Sequence, residues 1–178
     1  MLSYAAEQFR AFHRFDASTV KTVRYASAAL LVIGGIAAYL STTHPFRPAW
    51  KPLVVFDGDS FVLQKNRHHE EFRLYGIDCP EKEQPFGEPA RAFTDSMLSA
   101  GTIRIERLEQ DVYGRTVARV FVDQQSLNEA LLFNGLGWHY TFFSDDEHYA
   151  ELERLARLAS KGLWSQPDPT PPWDFRHR

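Results

Sequence analysis

The segment FRLYGIDCPE, Phe72 to Glu81, starts as a β-strand and breaks as a turn. Phe72, Leu74 and Gly76 alternate with Arg73, Tyr75 and Ile77, the period of two that sends successive side chains to opposite faces of a sheet. Pro80 has no N–H to give a ladder, so the strand ends at Asp78-Cys79-Pro80-Glu81. An arginine on the strand and two acids in the turn therefore fall within nine residues. Turns beside rigid strands are where functional groups collect.

Strand and turn patterns continue on both sides. Leu53–Phe56 is an apolar run stopped by Asp57-Gly58-Asp59, and Ser60–Gln64 resumes as a strand. Lys65–Glu71 reads as a polar turn, which makes Ser60–Leu74 a hairpin. Gly87–Ala100 fits a helix, with Ala90, Phe93 and Met97 on one face and Pro89 in its first turn. Thr102–Leu108 and Thr116–Val122 are strands joined by the tight turn Asp111–Arg115. Ser126–Leu136 and Asp145–Lys161 are two further helices. About five strands and three helices make an α+β domain, and a small closed barrel with helices at its side and mouth is the expected architecture.

The chain has 178 residues, 44% apolar and 24% charged, enough for one domain with a core plus an extra segment. The single Cys79 excludes an intrachain disulfide framework and a Cys-rich zinc site. The extra segment is N-terminal. Tyr25–Thr43 carries no charge, and as a helix its 19 residues would reach roughly 28 Å, close to the thickness of a bilayer's hydrocarbon core. Arg10, Arg14, Lys21 and Arg24 precede it, which places residues 1–24 in the cytoplasm. A retained signal anchor is the preferred reading, ahead of a cleaved signal peptide or an organelle-targeting sequence. The expected division is a basic segment at 1–24, a transmembrane helix at 25–43, a Pro-rich linker at 44–52, a globular domain at 53–166 and a Pro/aromatic tail at 167–178 that packs as extended chain.

Charge divides unevenly. Residues 1–44 carry four basic and two acidic groups, whereas Pro45–Arg178 carries 16 basic and 21 acidic groups, a net of −5. An acidic domain argues against a purely electrostatic nucleic-acid clamp, but not against a site dominated locally by a bound cation and a few arginines. Asp57/Asp59, Arg73, Asp78/Glu81 and Asp111/Arg115 all lie at strand ends or turns. If those turns share one end of a barrel, clustered carboxylates repel and call for a cation. Oxygen ligands without paired His or Cys suit Ca²⁺ or Mg²⁺. Two arginines beside a hard cation suit a phosphate, and a remaining carboxylate can take a proton from water. The chemistry this suggests is metal-assisted hydrolysis of a phosphate ester. Each residue also has a plainer reading, as a hairpin turn, an exposed strand-end charge or a turn cap.

Five motifs carry a family resemblance over Val54–Trp164: VVFDGDS, FRLYGIDCPE, DVYGR, SLNEALLFNGLG and LARLASKGLW. In this order and spacing the chain resembles the staphylococcal nuclease (thermonuclease) family. The resemblance implies an OB-type five-stranded barrel with three helices that cleaves DNA and RNA with Ca²⁺. It implies that Asp59 and Asp78 supply Ca²⁺ carboxylates and that Cys79 contributes its backbone carbonyl. Glu81 would hold the attacking water as general base, Arg73 and Arg115 would bind the scissile phosphate, and Tyr113 would lie against the nucleotide. Val112 stands where the family often has a basic residue, which implies weaker phosphate binding near Tyr113. The resulting expectation is a monomeric, membrane-anchored nuclease of low sequence specificity, without a protein partner, whose domain faces the periplasm or extracellular space. The rival is an inactive module of the same fold that binds nucleic acid or protein at a membrane. His68-His69 is expected as a solvated hairpin and His139 as helix-end packing. Trp164, Trp173 and at least two of Tyr140, Phe142 and Phe143 are expected in the core.

Overall fold

The structure, a computed structural model, describes residues 49–177. The basic segment, the apolar span and most of the linker lie outside the described residues. No helix among the described residues is long and apolar enough to cross a membrane.

The strands and helices, in chain order, are β1 (Lys51–Val55), β2 (Ser60–Lys65), β3 (His68–Leu74), β4 (Ile77–Asp78), α1 (Gly87–Ala100), β5 (Ile103–Gln110), β6 (Thr116–Val122), β7 (Gln125–Ser126), α2 (Leu127–Phe133), β8 (Trp138–His139), α3 (Glu147–Leu158) and α4 (Pro172–Phe175). A 3₁₀ turn, Gly162–Ser165, lies between α3 and α4. The fold is α+β. Its main sheet is mixed, in the order β1-β2-β3-β6-β5, with β7 paired to β6. β3 and β6 run parallel, with Arg73 opposite Val117, while the neighbouring pairs are antiparallel. β4 pairs with β8 in a second, two-stranded sheet.

Alternation explains the core. Phe61 and Leu63 of β2, Phe72 and Leu74 of β3, and Ala118 and Val120 of β6 are buried together with Leu98 of α1 and Leu127, Leu131 and Leu132 of α2. A smaller cluster joins Trp138, Ala156, Leu163 and Trp164, with Trp173 packed against it. The Trp138 and Trp164 rings meet edge to face at 4.3 Å.

Several boundaries differ from the sequence expectation, each for a local reason. β1 starts at Lys51, inside the expected linker. Pro52 is accommodated because β1 ends the strand order, and the register shifts between Pro52 and Val54. The polar stretch Lys65–Glu71 is mostly strand: Asn66, at φ 59°, and Arg67 alone make the turn. Its polarity reflects an exposed hairpin end, where His68 and His69 are indeed solvated. α2 is shorter than expected because Asn134 and Gly135, at φ 65°, turn the chain away after Phe133. The Ser126 hydroxyl caps α2 by accepting the Glu129 N–H at 3.2 Å, and the Asp146 carboxylate caps α3. The tail is not wholly extended, since α4 forms one helical turn with Pro172 in its first positions.

Candidate active site

The site is built where three strand ends meet. β2 begins at Ser60 directly opposite Arg73 near the end of β3. β6 begins just after the Asp111–Arg115 turn and lies parallel to β3. β4 then carries Asp78 to its pairing with Trp138. Register therefore brings together groups far apart in sequence, such as Asp59 and Arg115, 56 positions apart.

The Asp57–Asp59 turn is tied to itself. One Asp57 carboxylate oxygen accepts the Asp59 N–H at 3.0 Å and the Ser60 N–H at 2.7 Å, an Asx-type turn. Burial pushes the Asp57 carboxyl above its usual range, against the opposing effects of Arg73 and the Ser60 bonds. Gly58 is required by space. A Cβ there would sit 2.6 Å from the Cys79 sulfur and 2.9 Å from the Ala90 Cβ, and the Gly58 carbonyl accepts the Thr94 hydroxyl at 2.6 Å. Gly58→Ala is expected to lower stability by about 1–3 kcal/mol through overpacking. A urea midpoint equal to that of the unsubstituted chain would show that the turn can move aside.

Arg73 lies at the centre. Its guanidinium pairs with the Asp59 carboxylate through Nη1 and with Asp78 Oδ1 through Nη2 at 2.7 Å, and Nη2 also donates to the Ile77 carbonyl at 3.1 Å. Both carboxylates are essentially inaccessible, Asp59 at 1% and Asp78 at 0%. Asp59 additionally accepts the Ser60 hydroxyl at 3.1 Å and the Cys79 N–H at 2.5 Å. The Cys79 side chain is buried, and burial raises its thiol well above the ordinary range, which keeps it protonated and unreactive.

Glu81 follows in the turn, with a side chain 30% exposed. Gln84 fixes its backbone: the amide oxygen accepts the Glu81 N–H at 2.8 Å, and the Gln84 N–H returns to the Glu81 carbonyl at 2.9 Å. Arg115 approaches from the other side. Its Nε donates to Asp111 at 2.7 Å and its Nη1 reaches the Ser60 hydroxyl at 3.4 Å. Burial works against the charge of Asp111, but Arg115 and the turn's N–H groups outweigh it and hold the carboxyl below its usual range. Tyr113 stands out from this turn, 82% exposed, with its ring 5.6 Å from the Arg115 guanidinium. Arg73, Glu81, Tyr113 and Arg115 line one open cleft of about 700 Å³.

One group in this cleft has no counterpart in the sequence reading. Arg176, just after α4, donates to Asp78 Oδ2 at 2.9 Å, Asp78 Oδ1 at 3.2 Å and Glu81 Oε1 at 2.7 Å. Burial opposes its charge, but the two carboxylates dominate and raise its pKa. Nothing local in WDFRHR marks this role. Trp173 brings the residue in, lying nearly parallel to Tyr140 at 5.4 Å and edge-on to Trp138 at 5.7 Å. Phe142 and Phe143 are exposed and Tyr140 is half-buried, which corrects the expectation that at least two of the three lie in the core. His139 is buried, with its ring 3.2 Å from the Ser144 hydroxyl.

The donor chemistry fits a hard cation. Asp59, Asp78 and Glu81 set three formal negative charges against the two of Arg73 and Arg176, so the cluster keeps surplus negative charge and an all-oxygen donor set of the kind a hard cation uses. Among the described residues no group of three or more His, Cys, Asp or Glu side chains is gathered as a metal cluster, so a cation held here would complete its shell with backbone, water or substrate oxygens.

The model of the staphylococcal nuclease homologue family matches residues 71–166, more than half of the chain. The chain belongs to this family. It is 34% identical to an uncharacterized endonuclease of Escherichia coli over 125 residues, 70% of this chain and 82% of the relative. It is 32% identical to Protein ParB of Escherichia coli over 156 residues, 79% and 88% of the two chains. A probable staphylococcal-like nuclease of Oryza sativa subsp. japonica shares 33% identity over 118 residues, 66% of this chain but 31% of that protein. Family membership makes the chain a hydrolase of the nuclease class. The matched segment holds Arg73, Asp78, Glu81, Tyr113 and Arg115, while Asp59 precedes it and Arg176 follows it.

Proposed function

We propose that the chain is a Ca²⁺-dependent nuclease that hydrolyses phosphodiester bonds in DNA and RNA with little sequence preference. The observation that carries this reading is the Arg73 guanidinium set between buried Asp59 and Asp78, in the same cleft as Glu81 and Arg115. Asp59, Asp78 and the Cys79 carbonyl would hold Ca²⁺. When bound, the ion supplies positive charge that polarises a phosphoryl oxygen. The Glu81 carboxylate, part-exposed in the cleft, takes a proton from the attacking water. Arg73 and Arg115 bind the non-bridging phosphate oxygens, where a guanidinium's paired donors match the geometry and offset charge that grows as the bond breaks. Tyr113, exposed beside Arg115, offers a ring to the nucleotide. Both macromolecules present the same phosphodiester, and these residues address the phosphate rather than base edges, which supports low specificity.

The charge pattern of the N-terminal sequence supports an enzyme anchored by residues 25–43, with the nuclease domain outside the cytoplasm. The test is cleavage of plasmid DNA and of single-stranded RNA by the purified full-length chain, with Ca²⁺ or with a chelator. Cleavage of both in Ca²⁺ and its loss in chelator are expected. A folded protein that cleaves neither with any divalent cation would overturn the reading in favour of a non-catalytic binding module.

A further inference from the structure

Arg176 occupies the two carboxylates that the proposed function assigns to cation binding and water activation. Both Asp78 oxygens and one Glu81 oxygen accept its N–H groups. The contact is built from elsewhere in the tail. Pro172 is buried, Trp173 packs between Tyr140 and Trp138, and the Thr170 carbonyl accepts the Gln84 amide at 3.1 Å. The same Gln84 side chain accepts the Glu81 N–H, so one residue joins the tail to the turn that carries Glu81. All of the tail's contributions lie beyond the segment matched by the family model.

We infer that the C-terminal arm is an autoinhibitory latch in which the Arg176 guanidinium competes with the divalent cation for Asp78 and holds Glu81 in an ion pair. The inference rests on the Ca²⁺-dependent nuclease reading. Arg73 already holds Asp78 Oδ1, and Arg176 adds a second guanidinium that takes Oδ2 and shares Oδ1. A cation arriving at Asp78 meets this second positive charge on the oxygens it needs, so cation binding and seating of the arm oppose each other. Linkage makes the opposition reciprocal: what Arg176 takes from cation affinity, the cation takes from the arm's occupancy. Because the arm is tethered, its local concentration at the site does not fall on dilution, and the latch acts at any protein concentration. It also sets a threshold, since cleavage begins only where the cation is abundant enough to displace the arm.

The experiment is Ca²⁺ titration calorimetry on the full-length chain and on Arg176→Ala and Trp173→Ala, with hydrogen exchange of residues 167–177 in each. Trp173 touches neither carboxylate, so its variant loosens the arm and leaves the site chemistry intact. Arg176→Ala is expected to bind Ca²⁺ about 3- to 30-fold more tightly, as removal of a partly exposed charged competitor predicts, and Trp173→Ala to shift the same way. Ca²⁺ is expected to speed exchange in the arm of the unsubstituted chain and not in Arg176→Ala. Equal or weaker Ca²⁺ affinity in both variants, with cleavage still Ca²⁺-dependent, would overturn the latch and leave the nuclease reading standing. Unchanged Ca²⁺ affinity with weaker nucleic-acid binding in Arg176→Ala would likewise overturn it, by making Arg176 a substrate contact. Absence of Ca²⁺ binding in all three proteins would overturn the nuclease reading and the latch with it.

Discussion

Glu81→Gln is expected to reduce the cleavage rate by about 10²- to 10⁴-fold, the usual worth of a positioned general base. The substitution keeps the shape of the side chain and removes its ability to take a proton, together with the charge that pairs with Arg176. The backbone of Glu81 is fixed by Gln84, and the side chain is part-exposed, so the amide disturbs no buried network beyond its contact with Arg176. Melting temperature should therefore stay close to that of the unsubstituted chain. A variant that melts normally and retains more than a tenth of the rate would show that water is activated by another group.

The second large effect is on stability. Arg73→Ala leaves Asp59 and Asp78 buried beside each other without the cation that joins them. Breaking a buried pair from one side costs about 3–5 kcal/mol, because an uncompensated charge stays behind. Asp78 retains Arg176, whereas Asp59 is left with the Ser60 hydroxyl and the Cys79 N–H. Arg73→Lys restores charge without the two-pronged geometry and should recover only part of the loss. Urea denaturation measures both. An Arg73→Ala midpoint indistinguishable from that of the unsubstituted chain would mean that Asp59 is neutral in the folded protein and that the pairing contributes nothing.

The site was legible in the sequence to the extent that its geometry is local. Arg73, Asp78 and Glu81 lie within nine residues, so nearness in sequence places them together. The strand nevertheless ends at Leu74 and turns at Tyr75-Gly76, with Gly76 at φ 66°, before the separate β4 carries Asp78; it does not run on to Pro80 as alternation suggests. Asp59 and Arg115 needed the register of β2 and β6 against β3, which periodicity does not give; the motif order supplied it. Arg176 was out of reach because it depends on aromatic packing between Trp173 and Tyr140, residues 33 positions apart in a chain with no periodic pattern there. The hairpin around Lys65–Glu71 departs from the pattern's expectation for a different reason. Polar composition marks solvent exposure, and a two-residue turn flanked by exposed strand looks the same as a longer loop.

The parallel pairing of β3 with β6 has a kinetic consequence. Thr116 must find Phe72 across an intervening helix and a whole strand before the two arginine-bearing ends can lie side by side. Closing such a loop costs entropy before any contact repays it, and long-range pairing of this kind slows folding. During synthesis, at about 5–20 residues per second, the cleft cannot assemble until β6 has left the ribosome. Competence to bind phosphate is thus acquired late and all at once. On refolding from urea, recovery of nucleotide binding should follow the slowest phase of tryptophan fluorescence and not precede it.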